Sequence, residues 1–172
     1  MICAGALAWE WLPDVVNPWP ANPIPRLLVE GVLLCSLAAF FRLEDLGLSR
    51  NHLVRRLIGG LGLAVVLLLP AAARWHGGPP LALATVPALA LVSIGEEIAF
   101  RGAVFTVLDR IGGGMVAVLG STVLFTAGHA FSHPLAVLPA VAAAGLVLGA
   151  WRWATSDLVG PILAHLLANL SI

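Results

Sequence analysis

Glu96, Glu97 and Arg101 stand in the middle of an apolar run, within Gly95-Glu96-Glu97-Ile98-Ala99-Phe100-Arg101-Gly102. The run 81–94 before them carries no charge, and neither does 103–108 after them. At the centre of a spanning helix, a carboxylate or guanidinium costs roughly 2.5–3.5 kcal/mol even on the lenient insertion scale. A chain keeps three such groups only if they pair, line a wet cavity or do chemistry. Helical periodicity separates them. Glu97 and Arg101 share a face and form an i,i+4 pair. Glu96 is turned about 100° away. It shares its face with Phe100 and has no partner on its own helix. The pattern predicts a structural ion pair beside one free carboxylate.

Composition places this motif in a membrane. Of 172 residues, 60% are hydrophobic and 10% charged, and mean hydropathy is +0.99. Soluble domains carry about 25% charged residues. The expected fold is therefore all-α, a polytopic transmembrane bundle. Net charge is zero, so no nucleic-acid footprint appears. All nine basic residues are Arg, which reads as genome composition. Cys3 and Cys35 have neither metal nor redox spacing and read as small apolar residues. The N-terminus lacks the pattern of a cleaved signal peptide.

Residues 1–12 are apolar but too short to span and read as an interfacial segment, with Trp9, Trp11 and Trp19 as anchors. The proline-rich stretch 17–25 breaks any helix. Spans are expected at about 26–41, 57–73, 81–109, 115–131, 135–151 and 158–172, about six in all. Glu30, four residues after Arg26, reads as its partner near a helix mouth. Residues 42–56 form the most polar loop, and Ser49 or Asn51 is placed to cap the next helix. Residues 74–80 form a second loop. Pro87 either kinks the third helix or marks its start. Residues 110–114 form a turn. Gly145 and Gly149 make a small-xxx-small pair that admits a neighbouring helix. With 42–56 inside, Arg42, Arg50, Arg55, Arg56, Arg101, Arg110 and Arg152 fall towards the cytoplasm, and only Arg26 and Arg74 lie outside. This asymmetry predicts an outside N-terminus, in what reads as a bacterial inner membrane.

Two further polar clusters interrupt apolar spans: Phe125-Thr126-Ala127-Gly128-His129, and His165-Leu166-Leu167-Ala168-Asn169. A single buried His is more often structural than catalytic. Three clusters on three spans point instead to a shared site. At 1.5 Å per residue, Glu96 and His129 each lie about 21 Å from the inner ends of their helices, and His165 about 12 Å. They can meet in one layer. A carboxylate and an imidazole can bind and deprotonate water. An imidazole and an amide can stabilise an oxyanion. Such a set would hydrolyse a peptide bond within the membrane.

In order and spacing, Glu96-Glu97-xxx-Arg101, Phe125-xxx-His129 and His165-xxx-Asn169 resemble the CPBP family of intramembrane proteases, also called the CAAX-protease or Abi family. Gly149 and Thr155-Ser156 ahead of the last helix also resemble that family's approach to its final motif. The resemblance covers roughly residues 90–172. It implies one transmembrane protease domain with its motif-bearing core at about 81–172. It also implies Glu96 as the water-activating base, His129 holding that water, and His165 with Asn169 as the oxyanion hole. Glu97 and Arg101 would be a structural pair, with Phe100 and Phe125 as motif support. The implied substrate is a membrane-embedded or membrane-anchored peptide, and no cofactor is required. Larger family members carry eight spans against about six here, so the resemblance does not carry their substrate surface over to this chain.

Other readings of the same residues stay open. Glu96, His129 and His165 can supply three ligands to a zinc ion and leave an open site. Buried Glu, His and Arg can form a proton relay or transport path, although no internal repeat or broken-helix pattern is evident. A non-enzymatic immunity protein could retain the same motifs.

Overall fold

The structure, a computed structural model, describes residues 23–49, 52–72, 81–130 and 133–171. The interfacial segment 1–12, Trp19, Arg50, Asn51 and the loop 74–80 lie outside the described residues. Within them the chain is helical: α1 (Ile24–Ser36) runs into a 3-10 turn (Leu37–Phe40), and α2 covers Leu53–Ala72. A 3-10 turn (Leu83–Thr85) leads into α3 (Val86–Glu97), then a π-helical segment (Ile98–Val104) and α4 (Phe105–His129). A 3-10 turn (Leu135–Val137), α5 (Leu138–Thr155) and α6 (Val159–Leu170) complete it. Pro87 lies in the first turn of α3, so it marks the start of the helix and does not kink it.

α4 is two helices. Gly113 has φ 77° and ψ 176°, a region open essentially to glycine alone. The chain reverses there. Phe105, Ala117 and Val118 form one buried cluster with Leu108 packed on it. A Cβ on Gly120 would touch Leu108 at 2.6 Å. Further along, the Phe100 and Phe125 rings lie 5.4 Å apart. The expected turn at 110–114 is therefore present.

The other helices pack through small residues. A Cβ on Gly95 would lie 2.8 Å from Leu34 Cβ and 2.9 Å from the Gly31 carbonyl oxygen. α1 and α3 therefore run side by side in the same direction, in backbone contact just before Glu96. α2 and α6 also run parallel: Gly60 meets Gly160, and Leu63, Leu67, Ala164 and Leu167 share a cluster. α5 runs antiparallel to 114–129, with Gly145 against Thr122 and Gly149 against Val118. α6 runs antiparallel to α3. These directions alternate along the chain.

Polarity is inverted relative to a soluble bundle. Large apolar residues such as Val54, Ile58, Val123 and Leu135 face outward, while Glu30, Glu96, Glu97, Arg101, Arg152 and His165 are buried. In a membrane, lipid would solvate the former, while the protein interior must satisfy the latter. Two helical stretches, Leu83–His129 and Leu135–Thr155, are long and apolar enough to cross a membrane.

The polar loop after α1 is partly folded inward. Leu46 is fully buried, and a Cβ on Gly102 would touch it at 3.0 Å. Gly47 (φ 80°) accepts the Leu158 N–H at 3.1 Å. Ser49 Oγ accepts Arg56 Nη2 at 2.7 Å, a tie between the loop and the first turn of α2. Asp157 starts α6: its carboxylate oxygens accept the N–H groups of Val159 and Gly160, each at 3.0 Å, the work of an N-cap.

Candidate active site

α3, 114–129 and α6 bring the three motifs together. Arg101 Nη1 donates to Glu97 Oε1 at 2.9 Å, with both side chains fully buried. The same oxygen is 2.8 Å from His165 Nδ1. A carboxylate oxygen accepts, so Nδ1 carries a proton. His165 Nε2 then faces Glu96 Oε2 at 3.5 Å. On the other side of Glu96, His129 Nε2 lies 3.9 Å from Oε1. His129 Nδ1 is 2.9 Å from the Phe125 carbonyl oxygen. A carbonyl only accepts, so the proton sits on Nδ1, and in the neutral ring Nε2 presents a lone pair to Glu96. The sequence reading assigned Glu97 to Arg101 alone. The structure adds His165, so Glu97 both neutralises Arg101 and orients an imidazole.

Phe125 explains why an aromatic residue stands four before His129. Its ring centroid is 4.4 Å from the His129 ring and 6.0 Å from the His165 ring. Phe100 meets it edge-on. The Arg101 guanidinium lies 4.0 Å over its face. That contact matters because, among the described residues, Arg101 Nε and Nη2 and Glu97 Oε2 have no hydrogen-bond partner. The π-face supplies attraction to a cation where hydrogen-bond acceptors run out.

Asn169 sits one turn further along. Its Nδ2 donates to Ser93 Oγ at 2.9 Å, and Ser93 lies one turn before Glu96 and Glu97 on α3. Sequence reasoning passed over Ser93, since a lone Ser in an apolar run carries no signal.

It also missed the backbone under the pair. Phe105 N–H bonds to the carbonyls of Gly102 and Phe100, the i→i−5 bond of a π-turn. Such turns concentrate at functional sites. Arg152 Nε donates to the Arg101 carbonyl oxygen at 3.2 Å, and its Nη2 to the Asp45 carbonyl oxygen at 2.8 Å. Thr106 Oγ1 donates to the same Asp45 oxygen at 2.9 Å. Arg152, read from sequence as an inside charge, is thus a buried clamp between the inward loop and the π segment. Arg152→Met removes both bonds, at about 1.5–3 kcal/mol each for a charged donor. The expected result is a lower melting temperature in detergent and proteolysis within 42–49. An unchanged melting temperature would overturn the clamp.

Among the described residues, no group of three or more His, Cys, Asp and Glu side chains is arranged to hold a metal ion.

One protein-family comparison bears on this site. The family model described as type II CAAX prenyl endopeptidase Rce1-like matches residues 78–171, more than half the chain. The chain belongs to this family. It is a membrane-integral protease, a hydrolase of the CAAX-protease type, and its family acts on membrane-associated proteins. The match spans all three motifs, from the start of the uncharged run to the end of α6. No curated protein and no solved structure matches the chain.

Proposed function

We propose that this CAAX-type protease cleaves its membrane-associated substrate with a water activated by Glu96, without a metal. One observation carries the reading. Glu96 is flanked on both sides by imidazole Nε2 atoms from two other helices, at 3.5 and 3.9 Å. Two acceptors, Glu96 Oε1 and His129 Nε2, face each other at 3.9 Å. A water seated between them donates one hydrogen to each and keeps a lone pair for attack. Glu96 takes the proton as the carbonyl carbon is attacked. The oxyanion then meets His165 and Asn169. In this role His165 carries a proton on Nε2 as well as Nδ1. Glu97 holds His165 in place, and Arg101 holds Glu97.

The helices alternate in direction, which suits about six crossings. Arg42, Arg55, Arg56, Arg110 and Arg152 gather at the end bearing the inward loop and Gly113. The N-terminus then lies outside, in a bacterial inner membrane.

The test is cleavage of a membrane-anchored peptide by purified, reconstituted protein with and without a chelator. Equal rates are expected. Activity that vanishes with the chelator and returns with zinc would move Glu96, His129 and His165 into ligand roles.

A further inference from the structure

We infer that Ser93 is a positioning residue that sets which way the Asn169 amide points; the inference rests on the oxyanion role proposed for Asn169. Ser93 is fully buried on α3. Its hydroxyl donates to the Leu89 carbonyl oxygen at 2.7 Å. A hydroxyl has one proton, and here it is spent on an atom that can only accept. Towards Asn169, Ser93 Oγ can therefore only accept. It receives Nδ2 at 2.9 Å and would repel Oδ1.

This matters because an Asn amide has near-twofold shape and a soft terminal torsion. Asn169 is the penultimate residue of α6 and is partly exposed. Packing alone does not distinguish its nitrogen from its oxygen. Ser93 makes that distinction. With one N–H held by Ser93, the second N–H of the same nitrogen serves the developing oxyanion. A flipped amide would present its oxygen to a negative charge. Ser93 also shares α3 with Glu96 and Glu97, so a single helix carries the base, the residue that orients His165 and the residue that orients Asn169.

A double-mutant cycle tests this with the full-length reconstituted protein and a membrane-anchored peptide. Asn169→Ala removes the donor and is expected to lower kcat roughly 10²–10³-fold. Ser93→Ala leaves the donor present but unaimed. It is expected to lower kcat by about 10- to 100-fold, the scale of a misplaced catalytic group, with KM and melting temperature little changed. In the Asn169→Ala background, Ser93→Ala should cost nothing more, since its effect passes through the amide. Wild-type kcat in Ser93→Ala, or losses that multiply in the double variant, would overturn the inference. If Ser93→Ala does not fold, Ser93→Cys substitutes a weak sulfur acceptor and is judged by the same cycle. The hydrolytic reading fails separately. If Glu96→Gln keeps full activity, that reading is wrong whatever Ser93 does. If Glu96→Gln is inactive and Ser93→Ala is normal, only the Ser93 inference fails.

Discussion

Glu96→Gln is expected to give a folded protein whose turnover is lower by roughly 10²–10⁴, the usual contribution of a general base. The substitution keeps the side chain's shape and its place between His129 and His165. It removes the negative charge and replaces one acceptor oxygen with an amide donor. Water at that position would then face an N–H where it needs a proton acceptor. The variant should keep its melting temperature, because the amide fills the same volume between the two imidazoles and a neutral amide costs less to bury than a carboxylate. Glu97→Gln should behave differently. Glu97 is bonded to Arg101 and His165 at 2.9 and 2.8 Å, so its loss lowers stability as well as rate. Reconstituted cleavage together with thermal unfolding separates the two. Full activity in Glu96→Gln would remove Glu96 from the chemistry.

Arg101→Ala should lose most of its folded yield. Breaking a buried pair by removing one partner costs about 3–5 kcal/mol, because the remaining charge is left uncompensated. Folded proteins have only about 5–15 kcal/mol in reserve. Here the charge left behind would be Glu97, fully buried, with His165 as the partner it keeps and, among the described residues, no hydrogen-bond partner for its second oxygen. The Phe125 face would lose its cation too. Arg101→Lys should fall between wild type and Ala: it keeps the charge and gives up the planar group over the ring. Size-exclusion profiles and melting temperatures in detergent report the effect. An Arg101→Ala protein with wild-type stability and no activity would instead place Arg101 in the reaction.

Much of this protein follows from one-dimensional rules. The cost of charge in lipid marked Glu96, Glu97 and Arg101. The helical repeat paired Glu97 with Arg101 and turned Glu96 elsewhere. Spacing along the helices put Glu96, His129 and His165 at depths that allow one shared layer, and glycine chemistry placed the reversal near Gly113. These rules work because a spanning helix has a fixed rise and must satisfy its backbone internally. What they cannot supply is lateral: which faces of separate helices meet. That His165 bridges Glu97 and Glu96, that Phe125 lies under Arg101, and that Ser93 receives Asn169 are matters of which helix faces pack together, with close approaches such as Gly145 against Thr122 and Arg101 and Gly60 against Gly160. The π segment and the Arg152 clamp were hidden for a related reason. A π-turn's extra residue per turn is compensated by bonds from elsewhere in the chain, here Arg152 reaching the Arg101 carbonyl. No local pattern of residues records that compensation, so only the packed bundle decided it.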